Sequence, residues 1–400
     1  MKLPARMAGF VRERKQQSLY RTRRILETAQ GPEVIVDGRP MINFSSNDYL
    51  GLANHSAVVS AMKKAADQYG AGSGASHLVI GHSTLHHELE EQLADFVGCE
   101  SALLFSSGYM ANMGTLNGLA RRGDLILQDK LNHASLLDAG LLAEADMKRY
   151  AHNDMDALER RLEGATAEQV FIVTDAVFSM DGDLADLPQL VTLSESHQAV
   201  LMIDDAHGFG VLGKEGRGSL SHFQLAPGAV PVYMATLGKA LGVCGAFVAG
   251  DKDLVDYLIQ CARPYIYTTA LPPAAAGATL QALKVLQQET WRRHYLQTLI
   301  QRFRDGMADW QGRLLPSQTA IQPLVVGSAE GAIQLSDELS QRGFLVSAIR
   351  PPTVPRGTAR LRITLTAAHT EQQVDDLVNT LQQLLPGALN ADRQLQQGAQ

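Results

Sequence analysis

Val200-Leu-Met-Ile-Asp-Asp-Ala-His-Gly208 is an apolar run that ends on two carboxylates and, three residues after the first of them, a histidine. Continuous rather than alternating apolarity reads as a strand covered on both faces, the signature of a mostly parallel sheet flanked by helices. Similar runs recur at Ala102 to Phe105, Leu125 to Leu127, Val170 to Val173, Val232 to Ala235 and Ala246 to Val248, and the run quoted first begins at Ala199. Helix-length segments such as Asp154 to Leu162 and Pro188 to His197 lie between them, the second opening with a proline suited to a helix's first turn. The predicted class is therefore α/β. In such sheets ligands bind beyond the carboxyl ends of the strands, where Asp204 and His207 are placed.

Beyond Pro272 and Pro273 the pattern becomes a long helix to about Trp310, then short strands near Ile321 to Val326 and Arg360 to Thr364, then a helix from Glu371 to Leu385. A basic helix from Gly9 to Glu27 and a short strand at Val34 to Val36 precede the large region. The expected division is an N-terminal helix and strand segment at 1–50, a large α/β domain at 51–280, a smaller α+β domain at 281–386 and a polar, Gln-rich tail at 387–400 that frays.

Composition narrows the function. The net charge of −7 comes from 42 acidic and 35 basic residues spread along the chain, so the basic stripe of a nucleic-acid binder is missing and an anionic substrate must be met by local sites. No run approaches the roughly 18 apolar residues of a membrane helix, and Met1 to Gly9 has no apolar core, so the expected location is the cytoplasm. Cys99, Cys244 and Cys261 form neither a CxxC pair nor a grouping with histidine of the kind zinc uses. They read as small core residues, and no metal is expected.

Thr236-Leu-Gly-Lys-Ala240 follows another apolar strand, with glycines at 238, 242 and 245 that let backbone come close to a bound group. Desolvation there can turn Lys239 into a nucleophilic amine of the kind Schiff-base chemistry requires. Singly, an Asp or Lys after a strand is most often a surface residue. Together, Asp204, His207 and Lys239 supply what pyridoxal phosphate asks for: a carboxylate for its pyridinium, a donor for its phenolic oxygen and an amine for its aldehyde. Ser106-Ser-Gly-Tyr-Met-Ala-Asn112, where a strand gives way to a helix, offers backbone N–H groups for the phosphate, although Ser107 also reads simply as an N-cap. Ser179 and Thr236 can add hydroxyls, and His133 in Asn132-His-Ala-Ser135 can lie over a flat ring.

Gly70-Ala-Gly-Ser-Gly-Ala-Ser76 lacks the preceding strand of a dinucleotide fingerprint and reads as a loop near the site, contributed across a dimer interface. The prolines after Arg350 fix where that guanidinium points, so that it can clamp a carboxylate. Arg360 and Arg362 read as a solvated or salt-bridged strand face, and Arg21, Arg23 and Arg24 as a solvated helix face, one of which becomes useful if the acyl chain ends in a carboxylate.

Asn43-Phe-Ser-Ser-Asn-Asp-Tyr-Leu-Gly51, Val177-Phe-Ser-Met-Asp-Gly182, Asp204-Asp-Ala-His-Gly208, Thr236-Leu-Gly-Lys239 and Thr364-Leu-Thr-Ala-Ala-His369 resemble the signatures of the α-oxoamine synthases along essentially the whole chain. The resemblance implies a fold-type-I pyridoxal-phosphate-dependent transferase that acts as a homodimer. Ile349-Arg-Pro-Pro-Thr-Val-Pro355, followed by Gly357-Thr-Ala-Arg-Leu-Arg-Ile-Thr-Leu-Thr366, is most similar to the family's biotin-synthesis branch. That branch implies L-alanine and pimeloyl-CoA or pimeloyl-acyl-carrier protein as substrates, joined with loss of CO2. The resemblance also implies Lys239 as the cofactor's lysine, Asp204 at the pyridine nitrogen, His207 at the phenolic oxygen, His133 stacked on the ring, Gly108, Tyr109 and Thr236 at the phosphate, and Ser179 close by. For substrates it implies Arg21, His133 and Thr353, with Arg350 near the amino acid's carboxylate. Ser76-His77 departs from the Ser-Arg of many relatives. Glycine C-acetyltransferase and 5-aminolevulinate synthase are the rivals within the family. A non-catalytic pyridoxal-phosphate binder is opposed by the intact residue set, and a nicotinamide oxidoreductase by the missing strand.

Overall fold

The computed structural model describes residues 4–398, apart from the side chains at 5 and 389–398. Its central sheet has seven strands in the spatial order Ser101–Phe105, Ala246–Gly250, Val232–Thr236, Val200–Asp204, Val170–Asp175, Leu125–Asp129 and Asp146–Tyr150. All neighbours are parallel except Ala246–Gly250, which runs antiparallel to both of its own. The mostly parallel α/β sheet expected from the apolar runs is present. Asp146–Tyr150 was not foreseen, because an edge strand with a single neighbour leaves Lys148 and Arg149 in solvent and carries no apolar run.

Ile126, Val173, Met202 and Val248 on the strands pack with Leu116, Leu136 and Leu258 on helices into one buried cluster, every one of these side chains fully out of water. Removing such area from water stabilises by roughly 25 cal/mol per Å2, which is why the strands read as continuous apolar runs. Side chains fix where the covering helices begin. Asp154 accepts from Ala157 N at the start of Met155–Glu163, and Asp186 caps Leu187–Ser196 with Pro188 in its first turn. Gly70 closes helix Ser56–Tyr69 at φ 80°, so a helix and not a strand leads into the glycine-rich segment.

The chain divides into two compact units. The larger holds Leu50–Ser179 and Asp183–Arg293 and contains the whole seven-stranded sheet. The smaller combines Met1–Tyr49, Met180–Gly182 and His294–Gln400. The N-terminal residues, expected as a segment apart, join the C-terminal ones because Arg39–Asn43 pairs both with Glu33–Val36 and, in parallel, with Phe344–Leu345. The smaller unit also holds an antiparallel sheet of Ile321–Gly327, Ala359–Thr364 and Ser347–Ile349.

Several expectations need correction. The first helix is Ala5–Gln16, not Gly9 to Glu27; Ser18 turns out of it at φ 56°, and Arg21, Arg23 and Arg24 lie on non-helical chain. The long helix to Trp310 is two helices, Pro273–Gln288 and Trp291–Gly306, separated where Glu289 leaves helical geometry. The last helix runs Glu371–Gly398 with Pro386 inside it, through most of the tail expected to fray; residues 399–400 lie outside the described residues, as do 1–3. None of the three cysteines is fully buried, and Cys244 is exposed. Of the solvated or salt-bridged face expected for Arg360 and Arg362, the salt-bridged alternative holds for Arg360, which pairs with Asp181 at 2.7 Å, whereas both side chains are buried and Arg362 donates to Asn47 Oδ1 and Thr364 Oγ1. No helix among the described residues is long and apolar enough to cross a membrane.

Candidate active site

The strands of the larger unit deliver the candidate residues from their carboxyl ends. Asp204 ends the strand quoted first and is 4% exposed. Its Oδ2 accepts from Asn112 Nδ2 at 2.7 Å and its Oδ1 from Ala206 N at 3.0 Å. Two donors leave part of a carboxylate's acceptor capacity open. The neighbouring Asp205 turns the other way into the core, where Ser219 N and Tyr233 hydroxyl donate to it at 2.7 and 2.8 Å. Burial pushes the Asp205 carboxyl up to about 6, and those donors oppose the rise. Asp204 and Asp205 thus differ in surroundings although they are adjacent in sequence.

Asn112, fully buried on helix Gly108–Leu119, also donates to Ser135 Oγ at 2.8 Å. That hydroxyl lies 2.7 Å from His133 Nδ1, and Ser135 N donates to the same nitrogen at 3.3 Å. With Asn112 filling its acceptor role, Ser135 donates to His133, so the network assigns the acceptor role to Nδ1 and the ring proton to Nε2. His133 N donates to Asp175 Oδ2 at 2.6 Å at the end of the adjacent strand. Burial pushes the His133 pKa down and Lys239 adds to that, while Asp204 opposes it, so the ring is neutral near pH 7. Asp175 goes the other way: burial raises its carboxyl well above the usual range, and the charge of Asp204 raises it further.

Lys239, on the turn after Val232–Thr236, is half-buried, and its Nζ lies 2.8 Å from Nε2 of the buried His207. Thr236 Oγ1 donates to Gly245 O at 2.9 Å. The three glycines expected to approach a bound group divide. A Cβ on Gly242, at φ 70°, would fall 2.3 Å from Ala53 N, so that glycine serves the chain's own packing. A Cβ on Gly245 would fall 3.1 Å from Phe105 O, whereas one on Gly238, the exposed one of the three, would meet nothing closer than 3.8 Å. At the end of Ser101–Phe105 the helix Gly108–Leu119 begins with Ser107 as its cap, accepting from Met110 N. The N-cap reading holds, and Gly108 and Tyr109 head the helix with N–H groups that have no intrahelical acceptor. The Tyr109 hydroxyl is engaged elsewhere, donating to Asp138. Ser179 is half-buried at the end of the larger unit's first segment.

In the smaller unit, Arg21, Arg350 and Thr353 line one small cavity of about 90 Å3. Arg21 Nη2 donates to Thr353 Oγ1 at 3.3 Å, and Arg350 Nη1 donates to Ser18 O at 2.5 Å. Burial and then the charge of Arg21 lower the Arg350 pKa, and Asp337 opposes them.

The donors fit pyridoxal phosphate. A buried carboxylate with spare acceptor capacity suits a protonated ring nitrogen, an amine beside an imidazole suits an aldehyde, and a helix start after a strand suits a phosphate. Asn112, Ser135 and Asp175 escaped the sequence reading. Asn112 stood inside a quoted motif, but nothing local marks an asparagine on a helix as the partner of a carboxylate 92 residues later.

Residues 39–381 match the family model for aminotransferase class I and II. The chain is 55% identical over 386 residues, 96% of its own length and 99% of the relative's, to 8-amino-7-oxononanoate synthase of Pseudomonas putida (strain GB-1). Among solved structures, serine palmitoyltransferase of Sphingomonas wittichii matches with TM-score 0.92 at 29% identity, covering 97% of this chain and 99% of that one. The 8-amino-7-oxononanoate synthase of Francisella tularensis matches with TM-score 0.76 at 33% identity, covering 86% and 98%. With its sheet order, its strand-end residues and these likenesses, the chain belongs to the α-oxoamine synthases, pyridoxal-phosphate-dependent members of aminotransferase class I and II, and within them to the group of the 8-amino-7-oxononanoate synthases.

Proposed function

We propose that this chain condenses L-alanine with pimeloyl-CoA or pimeloyl-acyl-carrier protein, giving 8-amino-7-oxononanoate, CO2 and the free thiol carrier in biotin synthesis. The observation that carries this reading is the 55% identity over 96% of the chain to an 8-amino-7-oxononanoate synthase. The serine palmitoyltransferase match, at 29% identity, extends over as much of the chain but speaks for the shared fold.

When bound, pyridoxal phosphate supplies an aldehyde for amines and a protonated ring that draws electrons from the amino acid's Cα. Lys239 Nζ would be the amine that holds the cofactor and, when free, the base for the substrate's Cα proton. His207, 2.8 Å from that amine, directs it and donates toward the phenolic oxygen. Asp204 keeps the proton on the ring nitrogen, and Asn112 keeps Asp204 aimed. His133, neutral and carrying its proton on Nε2, presents a flat face to ring and substrate. Gly108, Tyr109 and Thr236 hold the phosphate, with Ser179 beside the cofactor. Arg350 meets the amino acid's carboxylate, while Arg21 and Thr353 meet the acyl donor. Loss of CO2 after the carbon–carbon bond has formed makes the condensation irreversible. The same reading makes the protein a cytoplasmic homodimer.

The test is an absorbance spectrum of purified holoenzyme before and after borohydride, peptide mapping, and CO2 release with L-alanine and pimeloyl-CoA against glycine and acetyl-CoA. Cofactor trapped on Lys239 with turnover of the first pair is the expected result, and Lys239→Ala should abolish both. Turnover of the second pair alone would replace the substrates, and cofactor trapped elsewhere would overturn the assignment of Lys239.

A further inference from the structure

We propose that His82, His87 and Glu90 form a zinc site, with His77 orienting His82. The ligands come from one cysteine-free stretch, His82-Ser-Thr-Leu-His-His-Glu-Leu-Glu90. All three ligands belong to the larger unit. His87 and Glu90 are one helical turn apart on Thr84–Val97, and His82 precedes that helix by two residues. One ligand atom from each lies within 4.8 Å of the others, and His82 Nε2 stands 3.8 Å from Glu90 Oε2. Zinc–nitrogen distances of about 2.0 Å require ligand atoms roughly 3.3 Å apart, so closure needs movements of about 1 Å. His87 can supply most of that, because its side chain is 68% exposed and its ion-pair partner Glu91 is 69% exposed.

The surroundings match a metal site beyond the ligands. His82 Nδ1 lies 2.9 Å from His77 Nδ1, so one of the two carries a shared proton. With the proton on His82, its Nε2 lone pair faces Glu90, which is how an outer partner sets up a ligating imidazole. His77 is itself fixed by stacking on Tyr265, centroids 4.9 Å apart at 11°. Glu90 Oε1 accepts from Leu104 N at 2.9 Å, leaving Oε2 for a cation, and the side chain is only 13% exposed. Such a carboxylate is costly without a counter-charge. His86 is the wrong ligand despite its position: its Nδ1 accepts from Ser83 N at 3.0 Å and its Nε2 lies 2.5 Å from Leu271 O, so both nitrogens are spent on backbone. The three ligands border a cavity of about 660 Å3, which leaves the fourth position open to water. Two imidazoles and one carboxylate with an open position suit Zn2+.

Holoenzyme freed of metal with EDTA is titrated with Zn2+ against a chelating dye, and separately with Co2+ while its visible d–d absorption is followed. One equivalent should bind at micromolar metal or below, with cobalt bands unchanged by borohydride reduction of the cofactor. His87→Ala and Glu90→Gln should each weaken uptake at least tenfold, and His77→Phe, which keeps the stacking on Tyr265, by roughly 10- to 100-fold. Thermal unfolding of each metal-free variant shows that it is folded. Failure of stoichiometric uptake in folded wild type, or uptake changed less than tenfold in both ligand variants, overturns the site.

Discussion

Asn112→Ala removes the one side chain that ties Asp204 to Ser135 and, through it, to His133. Two hydrogen bonds are lost from a fully buried position, at 2.7 Å to the carboxylate and 2.8 Å to the hydroxyl. A bond to a charged acceptor contributes about 2 kcal/mol and a neutral one about 1 kcal/mol, so the cost is about 3 kcal/mol. For a unit of this size each kcal/mol lowers Tm by roughly 2–4 °C, so scanning calorimetry of the apoenzyme should show a fall of roughly 6–12 °C. Asn112→Asp separates this reasoning from loss of volume. The new carboxyl is nearly the same shape but sits beside Asp204, where burial and like charge raise its folded pKa above the unfolded value. Such a group is tolerated below its unfolded pKa and destabilises increasingly as pH rises through the folded one. Asn112→Asp should therefore be the less stable variant at pH 8 and recover on acidification. An Asn112→Ala enzyme that melts with wild type, or an Asn112→Asp enzyme at least as stable as Asn112→Ala at pH 8, would refute the network.

Two further outcomes are expected. His152 bridges Asp129 at 3.0 Å and Asp183 at 2.8 Å; burial alone would lower its pKa, but the two carboxylates raise it to about 10. A raised histidine contributes stability fully present below pH 6.5 and lost as pH rises through about 10, so NMR should find His152 protonated at pH 8, and the alkaline loss of stability should be smaller in His152→Gln. Arg21→Ala should raise KM for pimeloyl-CoA roughly tenfold while leaving octanoyl-CoA, which lacks the terminal carboxylate, nearly unchanged; equal effects on both donors would remove Arg21 from carboxylate recognition.

The large sheet and its strand-end residues were legible because burial on both faces writes itself as continuous apolar runs, and because Asp204, His207 and Lys239 follow such runs directly. Legibility failed where a partner distant in sequence decides the outcome. Arg360 reads as solvated or salt-bridged, with no partner named until the fold brings Asp181 to it, and Asn112 as a helix residue until Asp204 arrives. Asp146–Tyr150 pairs with one neighbour and buries only Tyr150 fully, so it carries no continuous apolar run to read. The helix expected over Gly9 to Glu27 stops at Gln16 because Ser18 takes a left-handed conformation that helix propensity does not record.

The smaller unit is assembled from three separated pieces of chain, and synthesis delivers them in order. Arg39–Asn43 finds its hairpin partner at once, but Phe344–Leu345 reaches the ribosome exit only after the whole larger unit has been made. At roughly 5–20 residues per second the intervening stretch takes on the order of 15–60 s. For that interval Met41 and Phe44, buried in the finished protein, await their cover beside an unpaired strand edge. The nascent chain is thus most in need of a chaperone near its N-terminus, and any message truncated before codon 344 yields a protein that keeps a sticky edge for life.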